Sequence, residues 1–448
     1  MTSATVTRTP TTAEFFDRLD ASALTSGHLI VAVVCALGLL FDVSEMALGG
    51  GLSAIFAASP YNTPQGQLAW LLSSVYVGAT VGALLLGFMA DRLGRRRILM
   101  LALFTQGLAS TLAAMVSDPL WLSVFRGLSG LGLGAYPPIM IAFLTDILPA
   151  RWRARIIMGV VSIAYLGPPS GIFLLRWATD ARPFGMEGWQ SVYLVFGIAA
   201  FIVAALFCLV PESPRWYFAT GQVERAKTAM TRLFQSAPIG QAASVRPPDD
   251  ILDLQYRLNA RHAVLVATLS FLSTWATVAF PLLTGAVLIK LGFNLADTLL
   301  FVGISNFGPV AGAFVSSFFA DRIARRTAIL LFGAIMVISG LVFSASTERA
   351  GLMVMIIIFN TAATLYSPAL TIYASELFPT RVRALITSLA WGMNRLGAAL
   401  APLFLLPVLH QAGTLAMCGV IALAMALSMM LVFFGPRGAA GQPVDRPS

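Results

Sequence analysis

Charge is what this sequence has least of. Asp, Glu, Lys and Arg make up 11% of it, against 58% hydrophobic residues. Soluble domains run near 25% charged, so this composition belongs to a membrane protein and not to a water-soluble one. Cysteine and histidine are scarce too, at three each. Cys35, Cys208 and Cys418 all fall in apolar runs, which argues against a disulfide framework. Neither they nor His28, His262 and His410 have the spacing of a metal site. There is no nucleotide-binding loop and no nucleophile–base constellation, so no enzyme activity is expected and no cofactor is called for. Residues 1–27 are polar and Thr-rich without an apolar core, so no cleavable signal peptide is expected.

What the sequence does have is long apolar runs. A membrane helix needs about 20 mostly apolar residues. That rule predicts twelve spans, at 28–57, 67–90, 97–116, 119–144, 153–176, 189–210, 261–289, 296–319, 327–346, 350–374, 382–406 and 411–434. The expected fold class is an all-α membrane protein. Its expected parts are a six-helix bundle over 1–210, a linker over 211–260, and a second bundle with a short tail over 261–448. Val223–Phe234 has helical periodicity with Arg225, Lys227 and Arg232, and reads as a surface helix against the membrane.

The basic residues are unevenly placed. With these spans, 23 lie on one face and four (Arg176, Arg182, Lys290 and Arg349) on the other, with two more inside spans. Short basic turns between apolar runs are not a nucleic-acid surface. They obey the positive-inside rule, which places both termini in the cytoplasm.

Two motifs recur. Gly87-Phe88-Met89-Ala90-Asp91-Arg92-Leu93-Gly94-Arg95-Arg96-Arg97 returns around Asp321-Arg322-Ile323-Ala324-Arg325-Arg326. Asp146-Ile147-Leu148-Pro149-Ala150-Arg151-Trp152-Arg153 returns as Glu376-Leu377-Phe378-Pro379-Thr380-Arg381-Val382-Arg383. Both offsets are 230 residues. Two unrelated motifs with one offset point to duplicated six-helix halves of the same topology.

At these motifs the sequence resembles the major facilitator superfamily, over about residues 28 to 434. The family's Gly-x-x-x-Asp-Arg-x-Gly-Arg-Arg-Arg loop is met in full at 87–97; the second copy has Ser317 and Ala324 in place of glycines. Pro211-Glu212-Ser213-Pro214-Arg215-Trp216 is similar to a signature that follows the sixth helix in the sugar-porter, organic-ion and metabolite:proton symporter branches. The resemblance implies two six-helix bundles around a midplane site, worked by alternating access. It also implies a gating role for Gly87, Asp91, Arg92, Gly94, Arg95, Arg96, Asp146, Arg153, Asp321, Arg322, Glu376 and Arg383, through ion pairs between the charged members of these loops. These would hold the cytoplasmic side shut and break when it opens. The alternative is that the charges only set topology.

A charge within a span costs at least about 2.5–3.5 kcal/mol and is by default a functional candidate. Asp42 and Glu45 stand at i and i+3 on one face of span one. Two close carboxylates in low dielectric cannot both ionise cheaply, as a reversible proton carrier requires. The alternative is a structural pair neutralised by a buried arginine. The pattern Asp42-x-x-Glu45-x-x-x-Gly49 is similar to the first helix of aromatic-acid and nicotinate-type proton symporters. Arg126 opens Arg126-Gly127-x-x-Gly130-x-Gly132-x-Gly134 in span four, where the glycines permit close helix approach. The resemblance implies that Arg126 pairs with Asp42 in the absence of the proton.

Arg395 stands mid-span in span eleven with no acid in that span, and its repeat counterpart is Tyr165. A midplane arginine outside the shared scaffold suits a substrate carboxylate, bound bidentately; pairing with another helix's acid is the alternative. Asn394, Trp391, Tyr165, Tyr366 and Asn306, with Trp275 and Tyr373, are candidates to complete a pocket, against the alternative of packing.

These readings predict a monomeric, proton-coupled importer of a small organic anion, aromatic or heteroaromatic, in a bacterial inner membrane. Two alternatives stand beside it. Gly167-Pro168-Pro169-Ser170-Gly171 in span five partly matches the drug-efflux antiporter motif, which suggests an exporter. A non-transporting nutrient sensor is the other. Sugar transport is disfavoured, since span seven lacks the paired glutamines of sugar porters and the C-terminal end lacks their Pro-Glu-Thr signature.

Overall fold

In hydrocarbon, every backbone N–H and C=O must find its partner inside the protein, and an α-helix satisfies them locally. The computed structural model describes residues 19–234, 260–319, 324–346, 348–378 and 380–436. Within them the apolar runs are helices. Spans one to six are Ser26–Ala57, Gln65–Leu93, Arg95–Ala114, Pro119–Ile147, Ala150–Ala181 and Gly188–Leu209. Spans seven to ten are Ala260–Lys290, Leu295–Val315, Arg325–Ala345 and Arg349–Ala374. The last helical run, Thr380–Phe434, holds 55 residues. Straight, it would be about 80 Å long, far more than the roughly 30 Å of a bilayer core. It turns at Gly413, whose φ of 88° suits a residue without Cβ. It therefore supplies spans eleven and twelve, and the described residues make twelve crossings.

Three spans are irregular, all at mid-depth. Span five breaks between Ala150–Ala164 and Gly167–Ala181, where Pro168 and Pro169 remove donors. Span eight breaks at Asn306, between Leu295–Ser305 and Phe307–Phe319. Span seven carries one π-helical turn over Trp275–Ala279. Backbone of this kind is tolerated at membrane depth where it lines a cavity.

The charged turn between spans two and three is tighter than the sequence suggests. Span two continues through Asp91 and Arg92 to Leu93, and Gly94 alone, at φ 104°, separates it from span three. Arg95–Arg97 thus form the first turn of span three, where the helix dipole disfavours positive charge. The buried carboxylate of Glu212 offsets this, because its Oε1 accepts the Arg96 backbone N–H at 2.9 Å. Val223–Phe234 is a helix as expected. Its apolar face, Ala226, Ala229 and Leu233, is buried against the protein, and the Leu233 carbonyl accepts from Thr25 Oγ1. The bundle, not lipid, covers that face.

The apolar cores show how the halves meet. On the side away from the charged loops one core joins both halves, through Leu48, Leu52 and Phe56 of span one, Ile172 and Leu175 of span five, Leu282 and Val287 of span seven, and Leu299 of span eight. On the charged-loop side the cores are separate: one built around Ala135–Leu148 and span one's start, the other of Ala263, Val266, Ala374, Phe378 and Ile386. The apolar core that joins the halves thus includes these residues away from the charged loops, and the two cores on the charged-loop side each belong to one half.

Candidate functional site

The glycines of span four set the site's depth. A Cβ on Gly130 or Gly134 would collide with the carbonyls of Val75 and Ala79, so spans two and four touch backbone to backbone. That contact brings Arg126 against span two, where its Nε donates to the Leu71 carbonyl at 3.2 Å. One guanidinium nitrogen, Nη1, donates to the Tyr193 hydroxyl of span six, and Nη2 has no hydrogen-bond partner among the described residues.

Asp42, Glu45 and Arg126 are each 1% exposed. Glu45 Oε2 accepts from Gln106 Nε2 and Ser110 Oγ of span three, both at 2.9 Å. The cation that acts on Glu45 is Arg126, and the cation that acts on Asp42 is Arg395. Among the described residues no ion pair joins Arg126 to Asp42, the pairing that the family resemblance implies. Three residues along a helix turn a side chain by about 60° and lift it by about 4.5 Å. That is enough to send Glu45 toward spans three and four and Asp42 toward span eleven. One couple therefore lies inside the first half, and the other links the two halves. Asp42 Oδ1, Glu45 Oε1 and Arg395 Nε are, like Arg126 Nη2, buried without a hydrogen-bond partner among the described residues.

Between the halves lies a cavity of about 250 Å³. Its wall includes Val43, Met46 and Tyr76 from the first half and Thr277, Asn306 and Asn360 from the second. Tyr165 and Asn306, both at helix breaks, line it as expected. Among the described residues no charged side chain does. The other expected pocket residues stand elsewhere. Arg395 stacks on Trp391 at 4.5 Å and interacts electrostatically with Tyr76. Asn394 Nδ2 donates to Thr274 Oγ1 at 2.6 Å. Tyr366 is fully buried and hydrogen-bonds Ser428 of span twelve, Tyr373 donates to the Pro436 carbonyl, and Trp275 stacks on Phe404. These last three are packing residues.

Tyr76, Asn360 and Gln106 belong to the site but were not singled out from the sequence. The available signal was an amide or phenol inside an apolar span, which is the argument used for charges at lower cost. Asn360 is 4% exposed and bridges spans ten and eight by donating to the Ser305 carbonyl at 3.1 Å.

At the charged loops, Arg95 pairs with Asp146, and Arg325 Nε lies 3.6 Å from Glu376. The two pairs are related by the 230-residue offset and each stays within its own half. Each pair joins two loops of one half and does not cross between the halves. Further bonds tie the first half's loops together: Ser213 Oγ to Asp146 at 2.7 Å, Trp216 Nε1 to the Asp91 carbonyl at 2.8 Å, and Arg153 and Arg215 both to Asp20 at 2.6 Å. Gly87 has open space where a Cβ would stand, Arg92 lies over the Phe88 ring at 4.2 Å, and Gly94 packs on Glu212. Asp321, Arg322 and the Arg383 side chain lie outside the described residues.

A family model described as Major Facilitator Superfamily matches residues 34–402. The chain is 23% identical to the niacin transporter NiaP of Acinetobacter baylyi, over 87% of this chain and 89% of the relative. It is 26% identical to a gallate transporter of Pseudomonas putida, over 85% and 86%. Among solved structures it is similar to a partially occluded inward open conformation of the xylose transporter XylE from E. coli, with a TM-score of 0.72 and 17% identity over 94% of this chain and 100% of that one.

Proposed function

The chain belongs to the major facilitator superfamily and is a multi-pass membrane transporter, not an enzyme, and from that premise we propose that it couples proton entry to import of a small organic anion. The substrate class is an aromatic or heteroaromatic carboxylate, the membrane is a bacterial inner membrane, and the charged loops face the cytoplasm. The observation that carries the reading is two buried acids and a buried arginine, Asp42, Glu45 and Arg126, with Arg395 of the other half, each keeping a buried polar atom without a hydrogen-bond partner among the described residues. Relatives named as niacin, gallate and benzoate transporters agree with a carboxylate.

The chemistry follows from the low dielectric. With Asp42 ionised, Arg395 is matched across the halves. Protonation of Asp42 leaves Arg395 with charge unanswered, and a substrate carboxylate restores the match. Glu45 and Arg126 repeat the logic within the first half, where Gln106 and Ser110 hold the carboxylate in place. Proton and anion thus arrive together because either alone leaves a buried charge unpaired, which costs several kcal/mol.

The test is uptake of labelled benzoate into proteoliposomes with an imposed pH gradient. Accumulation against the gradient is expected, with loss in Arg395→Ala. Normal carboxylate transport by Arg395→Ala overturns the anion reading. Substrate extrusion on the same gradient instead establishes an exporter, the reading that the Gly167–Gly171 break beside the cavity would then serve.

A further inference from the structure

We infer that Tyr76 is a specificity-determining residue, whose hydroxyl donates to the substrate carboxylate at the point where the cavity meets the buried arginines. This rests on the anion reading above and names the residue through which the cavity reads charge.

Among the described residues no charged side chain lines the cavity, yet one residue of its wall, Tyr76, interacts electrostatically with both arginines. An anion in the cavity is therefore surrounded by apolar and neutral polar groups until it reaches the wall nearest them. Tyr76 is that wall. It lines the cavity, it is 4% exposed, and it interacts electrostatically with both Arg395 and Arg126. Arg126 is held on the same helix one turn away, at the Leu71 carbonyl. Arg395 reaches it from span eleven of the other half. The two arginines that act on this phenol each keep an unpartnered nitrogen among the described residues, Arg126 Nη2 and Arg395 Nε. Buried polar atoms without partners are costly, and donors of this kind suit an incoming anion.

Tyr165 also offers a phenol to the cavity, from the break in span five. Its surroundings carry no comparable charge, so it can hydrogen-bond a substrate without selecting for an anion. Asn306 and Asn360, on the second half, can meet ring heteroatoms or hydroxyls in the same way. The wall is then divided: neutral polar groups on one side read the ring, and Tyr76 on the other reads the carboxylate.

The test compares benzoate with benzamide, its neutral isostere, binding to purified protein followed by tryptophan fluorescence. Wild type is expected to prefer benzoate. Tyr76→Phe is expected to weaken benzoate about tenfold, the effect of losing one hydrogen bond to a charged group, and benzamide, whose neutral carbonyl accepts a weaker bond, only about threefold. Retained benzamide binding also reports an intact fold. Equal weakening of both probes reduces Tyr76 to packing and overturns the proposal. No change for either, with benzoate weakened in Arg395→Lys, overturns the role of Tyr76 and leaves the anion reading standing. No preference for benzoate in wild type overturns both.

Discussion

A double-mutant cycle decides which acid Arg126 answers. Glu45→Gln keeps acceptors for Gln106 and Ser110, whose bonds to Glu45 are 2.9 Å, and removes only the charge. Arg126→Gln removes the cation while leaving a donor for Tyr193 or the Leu71 carbonyl. Each single change leaves one buried charge unmatched, and each is expected to destabilise by about 1–3 kcal/mol, the cost of a buried polar group left unsatisfied. The double change removes both charges and recovers part of that loss. No direct ion pair joins the two groups, so the coupling lies below the roughly 4 kcal/mol that two unit charges feel at 4 Å and an effective dielectric near 20. A value of about 1–3 kcal/mol is expected. The assay is urea or thermal unfolding of the detergent-purified protein, with proteoliposome exchange as a second reading. The control cycle pairs Asp42→Asn with Arg126→Gln. It is expected to be additive within about 0.5 kcal/mol, because Asp42 faces Arg395. Strong coupling of Arg126 to Asp42, with additivity to Glu45, refutes the assignment drawn from this structure.

Two further outcomes test the frame around the site. Gly134→Leu drives a side chain into the Ala79 carbonyl of span two, and is expected to destabilise by more than about 3 kcal/mol, seen as loss of monodisperse protein on size-exclusion chromatography. Tyr366→Phe removes one hydrogen bond to Ser428 from a side chain that does not line the cavity; it is expected to cost about 1 kcal/mol in unfolding and to leave benzoate uptake unchanged.

Much of the fold was legible because it rests on properties that a one-dimensional reading contains. Run length marks a span, since the bilayer core imposes a minimum length on any helix that crosses it. The shared offset of Asp91/Asp321 and Asp146/Glu376 marks the duplication, and the Arg95–Asp146 and Arg325–Glu376 pairs are that offset seen in space. Scarcity of charge marked Asp42, Glu45, Arg126 and Arg395, because few other side chains are as costly to bury. Pocket lining was read less well. Aromatic residues at mid-span serve packing and binding alike, and Tyr366 and Tyr76 look the same in sequence. Tyr366 turns toward span twelve and Tyr76 toward the cavity, which is a matter of helix rotation against neighbours.

The sequence by itself determined the solvent of this protein, the number of its crossings, its internal repeat and the few charges worth burying. These follow from composition and periodicity, which do not depend on how the helices pack. The tertiary structure decided the partners. Asp42 and Glu45 share one helical face, yet the small rotation between them gives one to Arg395 across the halves and the other to Arg126 within the first half. Only packed neighbours at fixed distances convert that rotation into a pairing, because charge interactions in a low dielectric are set by proximity.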